Sequence, residues 1–113
     1  MTTAPEILAL EQRRRLCLGH VEALSQALED MDQRNFSAAD LVHLNKGDRR
    51  LLDQFAYRYT RLQDDMGARL MPAALRALGE EIASMPALDR YSRLEQLGWL
   101  PSADEWVRLR QIR

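Results

Sequence analysis

One run of residues governs what this chain can fold into. Ile7, Leu10, Cys17, Val21, Leu24, Leu28 and Met31 follow one another in steps of three and four or their sum, and Arg14 is the one polar member of the series. That spacing holds a narrow stripe on one side of an α-helix, in the manner of a coiled-coil seam. It predicts a long helix from about Pro5 to about Gln33, laid against another long helix. Pro5 suits a first helical turn, where its missing N–H costs nothing. Leu8, Leu16 and Leu18 lie off the seam and widen the apolar face. Composition extends the same reading to the whole chain. There are 19 Leu and 14 Ala, against three each of Val, Ile and Thr, and only 5 Gly and 4 Pro. Few strand formers and few turn residues mean a few long helices with short connections.

The size of 113 residues fits one domain with one core. Sixteen Lys and Arg against 17 Asp and Glu leave a net charge of -1, which argues against a general polyanion binder but leaves a local basic face open. No apolar run approaches the ~18 residues of a membrane span. The opening Met-Thr-Thr-Ala-Pro-Glu lacks the basic-then-apolar order of a signal peptide, so the expectation is a soluble, cytoplasmic protein. A single cysteine, Cys17, excludes an internal disulfide and a cysteine-rich zinc site. Its place in the seam predicts a buried small hydrophobe. Fifteen of the 16 basic residues are Arg, Lys46 being the exception. A GC-rich genome explains this, and so does a need to hold planar anions such as phosphate.

The rest of the chain divides at its breakers. Asn35-Phe36-Ser37 interrupts the first helix. Ser37, with Asp40 three residues on, predicts a short capped helix over Ala38 to Leu44, with Phe36, Leu41 and Leu44 as its apolar face. Asn45 to Asp48 then bends the chain, with Gly47 as a stop. A second long helix starts near Asp48 on the stripe Leu52, Phe55, Tyr59, Leu62, Met66 and Leu70. At Pro72 either the helix kinks or a separate short helix covers about Pro72 to Leu78; a kink or tight break is the expectation, with an end at Gly79. Met85-Pro86 opens a third helix carrying Leu88, Tyr91, Leu94 and Leu97, and Gly98 closes that one. Ser102-Ala-Asp-Glu105 is a capping box for a last helix with Trp106, Leu109 and Ile112. The predicted architecture is all-α, an up-down bundle of four or five helices.

Chemistry is sparse. His20 and His43 lie on separate elements without metal-ligand spacing, no Gly-rich phosphate loop exists, and no metal or cofactor is indicated. The second helix is more informative. At ~100° per residue, Tyr57, Arg61 and Asp64 share the side opposite the apolar stripe. Such a face is either simply solvated or a surface for a partner, since Tyr and Arg are enriched at interface centres.

The stretch Leu52-Asp-Gln-Phe-Ala-Tyr-Arg-Tyr-Thr-Arg-Leu-Gln-Asp-Asp-Met-Gly67 resembles a motif of small bacterial HEPN-superfamily proteins, which are usually encoded beside a minimal nucleotidyltransferase. Tyr91-Ser-Arg-Leu-Glu-Gln-Leu-Gly98 and Ala103-Asp-Glu-Trp-Val-Arg-Leu-Arg110 resemble the same group, so the likeness spans roughly Leu51 to Arg113. The resemblance implies a HEPN-like bundle that forms a homodimer. It implies the toxin component of a toxin–antitoxin pair, with the minimal nucleotidyltransferase as antitoxin partner. It also implies metal-independent cleavage of RNA by an Arg and, four to six residues later, a His. There the histidine moves a proton to or from a ribose oxygen, the arginine stabilises charge developing on the phosphate, and the ribose 2′-hydroxyl is the nucleophile.

By position Arg113 matches the signature arginine, and the histidine would lie past the last residue. The expectation is therefore a scaffold lacking a short C-terminal segment, or a natural member without catalysis, and in either case a 113-residue chain that does not cleave. Arg113 falls at i+7 from Trp106 and would project from the apolar face of the last helix. Arg110, Tyr57, Arg61 and Asp64 are the candidates for binding RNA or a partner. Arg13-Arg-Arg-Leu-Cys-Leu-Gly-His20 also satisfies the Arg-to-His spacing, but in the first helix, which is the wrong place for the family. The competing reading is a non-catalytic helical module that holds the nucleotidyltransferase, and a weaker one is a purely structural dimer. Narrow seams leave a second surface to cover, which also favours a homodimer.

Overall fold

The computed structural model describes residues 4–34, 39 and 42–112, and every regular element among them is helical. Helix α1, Pro5–Arg34, runs 30 residues and packs along α2, Lys46–Asp65. The short helix expected over Ala38 to Leu44, with its Ser37 cap and its Phe36 and Leu41 contacts, falls largely outside the described residues. Residues 42–45, which are described, are not helical.

The start of α2 corrects the sequence expectation. Gly47 is not a stop but the second residue of the helix, because Asn45 caps it: the Asn45 side chain accepts the Asp48 N–H at 2.8 Å. An N-cap of this type satisfies one of the four orphan donors of a helix start. Arg34, in the last turn of α1, pairs with Asp48 and so ties the two helices together where the hairpin turns.

Pro72 neither breaks the helix nor ends it. The rod passes from α2 through one π-helical turn, Met66–Leu70, directly into α3, Met71–Ala77, with Pro72 buried near its start. A proline lacks the N–H that an α-turn needs, and its ring presses on the carbonyl four residues back. A wider turn removes that conflict, and the Met71 N–H bonds the Met66 carbonyl instead.

Two glycines end helices as the sequence implied. Gly79 has φ 85° and Gly98 has φ 80°, in the left-handed region that glycine enters without strain. Each closes a Schellman motif: Glu80 N–H bonds Leu75 O at 3.0 Å, and Trp99 N–H bonds Leu94 O at 2.9 Å. Helix α4, Ala87–Gln96, follows Pro86. Helix α5, Ala103–Gln111, is capped by the Ser102 hydroxyl, which accepts the Glu105 N–H at 3.1 Å.

The core lies at one end of the molecule. Met71 and Leu75 of α3, Ile82, Tyr91 and Leu94 of α4, and Trp106 of α5 form one buried cluster. The Tyr91 and Trp106 rings meet edge to face, 6.1 Å between centroids. Arg93 donates two hydrogen bonds to Glu80 and clamps α4 to the loop after α3. The expected α2 stripe of Phe55, Tyr59, Leu62 and Met66 is only half-buried, and α3 supplies the core contacts in its place. On α5, Trp106 is buried but Leu109 is exposed, as is Ile112 just past the helix end.

Candidate functional site

The seam between α2 and the end of α5 gathers most of the chain's organised polar chemistry. Trp106 is buried against the core. One turn later, at i+4, the Arg110 guanidinium stands 5.8 Å from the Trp106 ring centroid. It lies over the π turn at Gly67, the one α-carbon along this stretch without a side chain to bar the approach. A β-carbon there would overlap Arg110 Nη1 and stand 3.3 Å from the Trp106 ring. Arg110 Nη1 donates to the Gln63 backbone carbonyl at 3.2 Å, and Nη2 lies 3.5 Å from the Asp64 carboxylate. The entrance to the π turn explains why that carbonyl is reachable. There the Met66 N–H is shared between the Leu62 and Gln63 carbonyls, so the helical ladder is irregular at this point.

Gln63 completes the junction. It is 4% exposed, and its amide Nε2 donates to the Leu109 backbone carbonyl at 2.8 Å and to the Tyr59 hydroxyl at 3.0 Å. The Tyr59 hydroxyl also donates to the Leu109 carbonyl at 3.5 Å. These bonds fall on a carbonyl of the last turn of α5 that also accepts the Ile112 N–H at 3.2 Å, so the end of the helix is held both by its own cap and by α2. The seam thus anchors the C-terminal end of α5 to α2 through a terminal carbonyl and the Arg110 guanidinium. Gln63 Oε1 and Trp106 Nε1 remain buried without a hydrogen-bond partner.

A second polar cluster lies one residue further along α2, toward α1. His20 Nε2 is 2.7 Å from the Asp65 carboxylate, whose other oxygen accepts from Arg69 at 3.0 Å. The His20 and Asp65 side chains are 14% and 11% exposed. A carboxylate taken this far from water needs such compensation. Cys17, one turn before His20, is buried as the seam implied. Burial, and then the nearby Asp65 charge, push its thiol pKa up, so it stays protonated and unreactive.

The positions singled out in the sequence scatter. Tyr57 is 58% exposed with the Arg58 guanidinium 5.8 Å from its ring centroid, and Arg61 is exposed beside it. Asp64 joins Arg110 at the seam, so α2 and α5 bring two of the candidates together. Arg113 lies outside the described residues. Helix α5 ends at Gln111, and Ile112 is extended at ψ 93°. In the first helix, Arg14 and Arg15 both pair with Glu11 while His20 turns to Asp65, so the parts of that Arg-to-His pattern serve different partners. His43 is exposed.

Gln63 and Gly67, which carry the seam, and Asp65, which pairs with His20, did not stand out in the sequence. Their signal was angular: at ~100° per residue, Gln63 and Asp65 flank the apolar stripe of α2 on opposite sides. Those are the positions that become covered when a helix packs on each shoulder. Among the described residues no three His, Cys, Asp or Glu side chains converge on a metal site, and no helix is long and apolar enough to cross a membrane. No family model matches this chain, and neither a curated protein nor a solved structure matches it.

Proposed function

We propose that this chain is the helical scaffold of a HEPN-like toxin from a bacterial toxin–antitoxin pair, built to cut RNA without a metal. The carrying observation is the seam. Two of the stretches that resemble the family, Leu52–Gly67 and Ala103–Arg110, lie against each other through Gln63, Gly67, Trp106 and Arg110. The end of α5, from which Arg113 follows, is therefore anchored to the most family-like segment rather than left to fray.

In the proposed chemistry the ribose 2′-oxygen attacks the adjacent phosphorus and the 5′-oxygen leaves. Arg113 stabilises the charge that builds on the phosphate oxygens, and a histidine past the present sequence moves the proton. Arg110, held by Gln63 and Asp64, positions the end of the helix. The 113-residue chain then binds but does not cleave. The test is an RNA-degradation assay in chelator, comparing this chain with one extended by the residues that follow Arg113 in its gene. Cleavage by the extended chain alone, abolished by Arg113→Ala, is expected. An extended chain that leaves RNA intact overturns the proposal.

Exposure of Tyr57 and Arg61 favours a second reading, a non-catalytic module that holds a minimal nucleotidyltransferase through this face. In that case the extended chain shows no cleavage, and Tyr57→Ala with Arg61→Ala releases the nucleotidyltransferase in a binding assay.

A further inference from the structure

An apolar groove opens beside the N-terminal half of α1. Its volume is about 470 Å³, within the range of small-molecule sites, roughly 300–1,000 Å³. Met71 and Leu94, both buried in the core, form its floor. Leu10 of α1, Met66 and Leu70 of the π turn and Ala74 of α3 wall it, each half-buried. Ile7 and Trp99 stand at its mouth, 45% and 65% exposed. Walls from α1, the π turn, α3 and the loop after α4 make it a concavity rather than one uncovered helix face.

The backbone sets Trp99 at that mouth. Gly98 turns left-handed at φ 80°, and the Trp99 N–H then closes α4 on the Leu94 carbonyl at 2.9 Å. A residue in that place usually packs its side chain back on the helix it ends. Trp99 instead stays exposed beside the groove. An indole held in water at the edge of an apolar concavity costs free energy that the apolar body of a ligand recovers.

Arg14 is the single charged side chain that lines the groove, and the other lining residues are all apolar. Glu11 holds Arg14 through Nε at 2.8 Å and Nη2 at 2.6 Å. The same carboxylate accepts from Arg15 Nε at 3.2 Å. Two guanidiniums on one carboxylate leave a positive charge unbalanced at this edge. The Arg14 Nη1 donors meet no acceptor among the described residues. The groove therefore offers an apolar body no polar partner along its length, and offers an anion a guanidinium at its edge. The same charge repels a cation, and a ligand polar throughout would bury groups without hydrogen bonds.

We propose that this groove binds a straight-chain carboxylic acid, its alkyl chain lying on Met71 and Leu94 beneath Trp99 and its carboxylate accepting hydrogen bonds from Arg14 Nη1. Met66 and Met71, unbranched and flexible, shape themselves to an alkyl chain. The site goes beyond RNA cleavage and does not rest on it, so its failure would leave that reading standing.

The test is titration of the 113-residue chain with octanoate, decanoate and decanol, each below the concentration at which it aggregates, read by calorimetry and by tryptophan emission. One decanoate per chain is expected, with Trp99 emission shifting to the blue as the ring leaves water; Trp106 is already buried. Decanoate should bind roughly 15-fold tighter than octanoate, from two more buried methylenes. The Arg14 side chain is 54% exposed, so the fold should survive Arg14→Gln. That change should weaken decanoate about fivefold and leave decanol unaffected. Ala74→Phe fills the groove and should abolish binding of both, with circular dichroism as the control for folding. Failure of decanoate to bind, no gain with chain length, or an Arg14→Gln effect that is absent or equal for decanol overturns the proposal. So does a helical Ala74→Phe chain that binds as tightly as the wild type.

Discussion

Replacing Gly67 by alanine tests how α5 is held. The new methyl would overlap Arg110 Nη1 and stand 3.3 Å from the Trp106 ring, so the guanidinium must leave its place. The displaced group gives up its bond to the Gln63 carbonyl. Hydrogen bonds from charged donors contribute about 1.5–3 kcal/mol. With the Arg110 side chain 27% exposed, the lower part of that range applies. Its 3.5 Å pairing with Asp64, partly exposed, adds at most about 1 kcal/mol. Against this loss, alanine in a helix interior gains about 0.5–1 kcal/mol over glycine. The net expected cost is about 1 kcal/mol, or a fall in Tm of about 4 °C. The decisive feature is the sign in a second background. With Arg110→Ala already present nothing flexible is displaced, and Gly67→Ala should then stabilise by up to ~0.5 kcal/mol, limited by the Trp106 ring. The coupling between the two sites is therefore about 1.5 kcal/mol, well above the scatter of independent sites. Guanidinium unfolding of the four proteins, followed by circular dichroism, measures it. An equal cost in both backgrounds, or a neutral Gly67→Ala in the wild type, refutes the account of the seam.

Asp65→Asn removes the carboxylate shared by His20 and Arg69, and should lower the denaturation midpoint by the equivalent of about 1–3 kcal/mol with an unchanged slope. Ser102→Ala should cost about 1 kcal/mol, because the Glu105 N–H loses its acceptor. Cys17 should react with a disulfide reagent at neutral pH only at the rate of unfolding. Its folded thiol pKa is raised, so the stability linked to it is complete below the unfolded thiol pKa and drains away as pH rises through the folded one. Cys17→Ala should therefore flatten the alkaline limb of a stability profile, and an unchanged limb would contradict the assignment.

Local chemistry decided the helices. The spacing from Ile7 to Met31 needs no tertiary partner to favour an amphipathic helix, and α1 spans it with one residue more than expected at its end. Gly79, Gly98 and Ser102 acted as punctuation because a left-handed φ and a side-chain cap are properties of single residues in their own turns. Gly47 misled for the same reason in reverse: Asn45 satisfies the helix start two residues earlier, so the glycine had no turn to make. Pro72 lay at the limit of such reasoning. Its missing N–H demanded an irregularity, but only the packing of α3 against α4 and α5 made a wider turn better than a break.

Which side chains meet was decided in three dimensions. Burial of Gln63 and Asp65 followed from α5 and α1 covering the two shoulders of α2, a fact absent from the helical period of α2 itself. Gly67 reads in sequence as a weak point in a helix, whereas in the fold it is the gap through which Arg110 reaches a backbone carbonyl. The division has a simple cause. A helix is written in contacts three and four residues apart, which a sequence displays directly. The seam joins residues 46 and 47 apart, and nothing short of the packed chain brings them together.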